Sequence, residues 1–146
     1  MANKLKILVA EDDHNDRLLF TRALAAAGLA ADTQFVEDGR EVIDYLQGVP
    51  PFDNPSLHFF PNVLLLDLQL IRVDGFAVLE WLRTKPDLRL RLLVLAVTAS
   101  PEPLHLKRAN ELGADVSICK ADGFDQLVPM LRRLEGVLAK TAGPGS

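Results

Sequence analysis

Four apolar runs in this chain each end on a polar residue able to do chemistry. Leu5 to Ala10 runs into Glu11-Asp12-Asp13, Val63 to Leu66 into Asp67, Leu92 to Val97 into Thr98, and Val116 to Cys119 into Lys120. Three or four carboxylates gathered in one place repel one another. A hard divalent cation relieves that repulsion, and Mg²⁺ prefers oxygen ligands while retaining some of its waters. A lysine adds a second positive group, and a threonine hydroxyl adds a hydrogen-bond donor. Such a set suits a tetrahedral anion attached to, or approaching, Asp67. A carboxylate can be the nucleophile in phosphoryl transfer, and a metal and a lysine lower the barrier between two anions electrostatically. Taken singly, each signal is weak. An Asp after a strand is more often a helix cap, and a Lys is usually a solvated charge. Their joint placement carries the argument, and it requires the four runs to be parallel strands of one sheet.

The rest of the chain supplies that sheet. The run Val63 to Leu66, bounded by Pro61 and Asn62, suits a strand buried on both faces. A helix is expected from about His14 to Ala27, with Leu18, Leu19, Ala23 and Ala26 at helical spacing, Asp12 or Asp13 as cap and Gly28 at its end. Residues 32–36 read as a strand. Asp38 and Glu41 resemble a capping box, opening a helix that stops at Gly48. Residues 49–61, with Pro50, Pro51, Pro55 and Pro61, break all periodicity and form a long loop. Asp74-Gly75 opens a helix with Val78, Leu79 and Leu82 inward, ending before Pro86. Ser100-Pro101 is a cap-plus-first-turn start for the next helix, ending at Gly113. A last helix, about Phe124 to Lys140, places Leu127, Leu131, Leu134 and Leu138 on one face. Five strands alternating with five helices predict an α/β fold, a parallel sheet wrapped on both sides. In such sheets, sites form outside the carboxyl ends of the strands.

Bulk properties set the limits. A chain of 146 residues implies one domain, expected over residues 4–140 with a disordered tail over 141–146. Hydrophobic residues make up 49% and charged residues 25%, so there is enough apolar material for a full core. A net charge of −4 without a basic block argues against nucleic acid as a partner. No segment approaches the roughly 20 apolar residues of a membrane span, and the N-terminal apolar run is too short for a signal peptide. A single cysteine, Cys119, suits a reducing compartment. A cytoplasmic protein without membrane contact is expected. Cys119 reads as a small buried hydrophobe, and Trp81 as a helix-face packing residue. His14, His58 and His105 show no ligand spacing and read as surface residues. Phe52, His58, Phe59 and Phe60 either pack the long loop down or form a partner or dimer surface. The sequence leaves both open.

Ile7-Leu8-Val9-Ala10-Glu11-Asp12-Asp13, Leu65-Leu66-Asp67 with Asp74-Gly75 downstream, Thr98-Ala99 and Lys120 together resemble the receiver domains of bacterial two-component response regulators, over about Leu5 to Lys140. The resemblance implies a flavodoxin-like five-stranded sheet, doubly wound, in the order 2-1-3-4-5. It implies Mg²⁺ held by Glu11 through water, by Asp12, by Asp67 and by the backbone carbonyl of Gln69. Asp67 would accept a phosphoryl group from a sensor histidine kinase, and Thr98 and Lys120 would bind the phosphoryl oxygens. By register the acidic pair is Glu11 and Asp12, which leaves Asp13 as the helix cap.

The departures from that pattern are informative. Ile71 stands where many receivers have proline. Lys120 precedes Ala121 rather than the usual proline, where a cis bond is frequent; a cis bond before Ala121 costs about 3 kcal/mol. The switch position, often Tyr or Phe, holds Ser117, so the aromatic swing is excluded. The long loop and the missing Lys-Pro are similar to small single-domain regulators that partner bacterial phytochromes, some of which form dimers. The expected output is protein–protein contact, since no output domain follows residue 146, and catalysis is limited to self-phosphoryl transfer and self-dephosphorylation. Two alternatives stand beside this reading. One is a degenerate receiver acting as a scaffold without phosphorylation. The other is an aspartate-nucleophile phosphatase, which typically carries a second Asp where this chain has Gln69.

Overall fold

The computed structural model describes residues 4–141. The elements in order are β1 (Leu5–Ala10), α1 (His14–Ala26), β2 (Ala31–Val36), α2 (Gly39–Gln47), β3 (Val63–Asp67), α3 (Gly75–Arg83), α4 (Pro86–Arg89), β4 (Leu93–Thr98), α5 (Pro103–Glu111), β5 (Val116–Cys119) and α6 (Val128–Thr141). The five strands form one parallel sheet in the order β2-β1-β3-β4-β5.

The three central strands β1, β3 and β4 are largely apolar because both faces of the sheet are covered there, whereas the edge strand β2 carries Asp32, Thr33 and Gln34. Alternate residues divide between two cores. Leu8, Ala10, Leu64, Leu66, Val94 and Ala96 pack with Val42, Leu46, Val78, Leu79 and Leu82 on the face covered by α2 and α3. Ile7, Val9, Val63, Leu65, Leu95 and Val97 pack with Phe20, Leu24, Leu127 and Leu131 on the α1 and α6 face. β3 lies in the middle, and all five of its residues are buried.

Register fixes the mouth of the sheet. Ala10 pairs with Leu66, so Glu11 stands beside Asp67. Asp67 pairs with Val97 and Thr98 with Cys119, so Thr98 and Lys120 each lie one step further out. The four strand ends expected to converge share one edge.

Several local expectations are corrected. A sixth helix, the single turn α4, occupies Pro86–Arg89, where Pro86 suits a first-turn position. α5 starts at Pro103 rather than at Ser100-Pro101, and Ser100 Oγ instead accepts the Glu102 N–H at 3.2 Å. The last helix starts at Val128, because Lys120–Asp122 and Phe124–Leu127 form two 3₁₀ turns. The Glu41 carboxylate reaches the N–H of Glu37 at 2.7 Å, one residue before the cap Asp38. The Lys120–Ala121 bond is trans; the one cis peptide among the described residues is Pro50–Pro51. The expected tail falls on residues 142–146, outside the described residues, and Thr141 closes α6.

The 49–61 loop is tied down. The Tyr45 hydroxyl donates to the Phe59 carbonyl at 2.8 Å, and the Tyr45, Phe52 and His58 rings meet with centroids 5.2–5.7 Å apart. Arg91 stacks over Phe60 at 3.7 Å. The aromatic residues of the loop thus cover the apolar end of α2. His58, like His105 against Phe76, is half-buried among rings rather than a surface residue. Trp81 packs against the core as expected, and Cys119 is free and buried.

Candidate functional site

Glu11, Asp67 and Thr98 are buried polar residues at the carboxyl edge, 2%, 3% and 0% exposed, in a sheet that otherwise buries apolar side chains. Burying carboxylates is costly unless they are paired. The pairing group is Lys120, whose Nζ lies 2.6 Å from Glu11 Oε1, 2.8 Å from Asp16 Oδ2 and 3.1 Å from Asp67 Oδ2. The second Asp67 oxygen, Oδ1, accepts the Gln69 N–H at 2.9 Å. Asp12 completes the acidic group but is exposed. One carboxylate oxygen each from Glu11, Asp12 and Asp67 lie within 4.8 Å of one another.

Charge in this pocket is finely balanced. Burial pushes the Glu11 carboxyl up to about 7; Lys120 opposes that rise and the Asp67 charge adds to it. Burial would lower the Lys120 ammonium, but its close contacts with Asp16 and Glu11 and the charge of Asp67 outweigh it, holding the lysine above its ordinary range. The lysine is therefore a permanent cation at neutral pH.

The acidic group fits a hard divalent cation. Glu11 Oε1 is buried and in ion contact with Lys120 but has no aligned hydrogen bond. Three convergent oxygens, two from buried acids, leave negative charge that one ammonium does not cancel. Oxygen-only donors suit Mg²⁺ or a similar ion.

Local sequence explains how each group is held. Asp13 caps α1, its carboxylate accepting the Asp16 N–H at 3.1 Å, which supports its assignment as cap rather than ligand. Arg17 on α1 donates to the Glu11 carbonyl at 2.6 Å and to the Val36 carbonyl at 3.3 Å, joining the ends of β1 and β2. The turn after β3 is tied to α2. Arg72, whose backbone is left-handed at φ 61°, donates to Asp38 Oδ2 at 2.8 Å, and Ile71 bridges to Asp38. Burial works against the Asp38 charge, yet the Arg72 bond and the capping N–H of Glu41 hold its carboxyl below the usual range.

Two side chains take part in the site in ways the sequence does not show. Asp16, which the sequence pattern does not single out, makes the shorter of the two hydrogen bonds from Lys120. Gln69 was singled out for its backbone carbonyl, but its side chain crosses the mouth of the site. Its Nε2 donates to Thr98 Oγ1 at 2.6 Å, and its Oε1 accepts the Ala99 N–H at 3.0 Å. Thr98 Oγ1 also accepts the Ser100 N–H at 3.0 Å. One signal for Asp16 was available: a second acid one helical turn beyond Asp12, on the helix that leaves the acidic strand end. Ser117 lies away from the acidic group, its hydroxyl 2.7 Å from Asn110 Oδ1 and 3.1 Å from the Leu106 carbonyl, joining β5 to α5.

Comparison with known proteins agrees with this architecture. The chain is similar to the response regulator Rcp1 of Synechocystis, 27% identical over 135 residues, covering 92% of this chain and 89% of Rcp1. The crystal structure of the Mn²⁺-bound form of Rcp1 superposes with a TM-score of 0.73 at 25% identity, over 97% of this chain and 99% of that one. Response regulator RPA3017, from red light signaling of R. palustris, gives a TM-score of 0.77 at 32% identity over 97% of this chain and 99% of its own. The phosphorylated cyanobacterial phytochrome response regulator RcpA gives 0.75 at 28% identity, over 99% of this chain and 100% of its own. The profile of the response regulator receiver domain matches residues 7–132. That match runs from β1 into α6, through every strand end that builds the acidic mouth, and so the chain belongs to the response regulator receiver domain family.

Proposed function

We propose that this chain is a single-domain response regulator that accepts a phosphoryl group on Asp67 from a sensor histidine kinase. The observation that carries this is Asp67 itself. It is a buried carboxylate at the end of the central strand, facing one fixed cation and two further acids. A structural cap or turn residue needs no such surroundings.

In this reading an Asp67 oxygen attacks the phosphorus of a phosphohistidine. The P–N bond breaks, and its electron pair returns to the imidazole of the kinase. Two anions must meet, so the site has to offset their repulsion. Glu11, Asp12, Asp67 and the Gln69 carbonyl would hold Mg²⁺, which when bound neutralises charge on the phosphoryl oxygens. Lys120 supplies a second, permanent positive charge. The Thr98 hydroxyl, which accepts rather than donates in its bonds to Gln69 and Ser100, and the Ala99 N–H, once Gln69 Oε1 releases it, would donate to the phosphoryl oxygens. A new charge of about −1.5 to −2 at this edge would reorder the segment after β4 and the turn after Lys120, which start α5 and lead into α6. Ser117 offers no aromatic ring for the readout, so the signal would pass through these segments. The likeness to phytochrome response regulators supports a bacteriophytochrome kinase as donor; a second copy of the chain as a partner, and output through protein contact in the cytoplasm, complete the reading. Gln69 gives no general acid at the position where an aspartate-nucleophile phosphatase needs one.

Intact mass after incubation with acetyl phosphate tests the proposal. Wild type with Mg²⁺ gains one labile phosphoryl group; wild type without metal and Asp67→Asn do not. If wild type takes up no phosphoryl group and binds no beryllofluoride, the chain is a binding scaffold instead.

A further inference from the structure

An ammonium has three N–H donors, and in this site three carboxylates surround one ammonium. Lys120 donates to Asp16 at 2.8 Å and to Asp67 at 3.1 Å, and it touches Glu11 at 2.6 Å. Two of its N–H groups are in aligned hydrogen bonds and the third lies against Glu11, with the lysine side chain only 12% exposed, so an arriving phosphoryl oxygen must compete with these carboxylates for the ammonium. The carboxylates differ in what displacement costs. The Glu11 and Asp67 side chains are 2% and 4% exposed, so neither can turn to water. The Asp16 side chain is 23% exposed, on the first turn of α1, at the rim of a cleft of about 340 Å³ between α1 and the Phe124 turn. A rim carboxylate recovers hydration when released, whereas a buried one does not.

We propose that Asp16 is the exchangeable counter-ion of Lys120. It holds the lysine while no phosphoryl group is bound and yields it when one arrives. This rests on the phosphoacceptor reading of Asp67 and names a positioning residue within that site. Asp16 sets two affinities in opposite directions. Its negative charge shields the acidic group from Lys120, which favours a cation there. The same charge competes with an anion for the lysine.

The test uses the full chain and the variants Asp16→Asn and Asp16→Glu. Asn keeps an acceptor for the lysine but removes the charge; Glu restores it. Mg²⁺ affinity is read by titration calorimetry, and beryllofluoride affinity is read at saturating Mg²⁺. Asp16→Asn weakens Mg²⁺ binding by about three- to tenfold and tightens beryllofluoride binding by a similar factor, the scale of one unit charge a few ångströms away in a water-like dielectric. Asp16→Glu restores both toward wild type, and added salt shrinks both effects. Affinities unchanged in Asp16→Asn, with only thermal stability altered, would overturn the proposal and make Asp16 a helix-surface residue. So would affinities that both move the same way. If wild type itself binds neither probe, the phosphoacceptor reading fails first, which separates that failure from this one.

Discussion

The same substitution, Gly→Ala, has opposite expected effects at two glycines of this fold. A Cβ on Gly75, the first residue of α3, would lie 2.5 Å from the Asp67 carbonyl oxygen, 2.7 Å from Leu68 Cα and 3.1 Å from the Asp67 carbonyl carbon. All three atoms are backbone and cannot rotate aside. Ordinary contact starts at 3.4 Å, so α3 must back away from β3 by close to an ångström. Overpacking of this kind costs about 1–3 kcal/mol. The gain from replacing Gly is at most about 1 kcal/mol, and less at a helix's first position. Gly75→Ala is therefore expected to lose about 1–2 kcal/mol. Gly136, inside α6 and exposed, has nothing within 4 Å of the added methyl. There only the propensity gain remains, and Gly136→Ala is expected to gain about 0.5–1 kcal/mol. Urea unfolding reads both through the midpoint at constant slope. In thermal melts the two variants move apart by roughly 5 °C or more. The clash falls on the backbone of Asp67, the proposed phosphoacceptor, so on that proposal Gly75→Ala is also expected to slow phosphoryl uptake while Gly136→Ala leaves it unchanged. A Gly75→Ala protein as stable as wild type would refute the close approach of α3 to the end of β3.

Two further outcomes follow from the hydrogen bonds and the titrating groups. Burial pushes the single tyrosine, Tyr45, up to about 12. Its folded pKa lies above the unfolded value of 10.0, so its contribution to stability is complete below pH 10 and is lost as pH rises toward 12. Tyrosinate absorbance should therefore rise well above pH 10 in the folded chain and near pH 10 in urea; a folded-state midpoint at 10 would contradict the burial of the ring. Gln69→Ala removes the bonds to Thr98 and to the Ala99 N–H, at a cost of about 1 kcal/mol. Hydrogen exchange at the Ala99 amide is expected to quicken, and unchanged exchange would show that Gln69 does not hold this segment.

The sequence alone determined the layered fold and most of the acidic mouth. β3 and β4 are apolar up to their last residues and β1 is interrupted only by Lys6, a pattern that suits a sheet buried on both faces, and parallel strands bring their carboxyl ends to one edge. Asp67, Glu11, Thr98 and Lys120 were legible because each terminates such a run, and Asp38 and Asp74 because helix caps are local. What the chain pattern could not reveal were contacts across large sequence separations. Asp16 meets Lys120 across 104 residues, and Gln69 reaches Thr98 and Ala99 across 29 and 30. Such pairs depend on register and on which way a helix face turns, and neither is written in local spacing. The start of the last helix was missed for the same reason. Leu127 and Leu131 carry helical spacing, but the chain between Lys120 and Leu127 tightens into two 3₁₀ turns as it leaves the sheet and packs Phe124 against Phe20 of α1. The long loop was recognised as a loop from its prolines. That its aromatic residues pack onto Tyr45 and Arg91 was decided only when α2 and the turn after α4 came together in three dimensions.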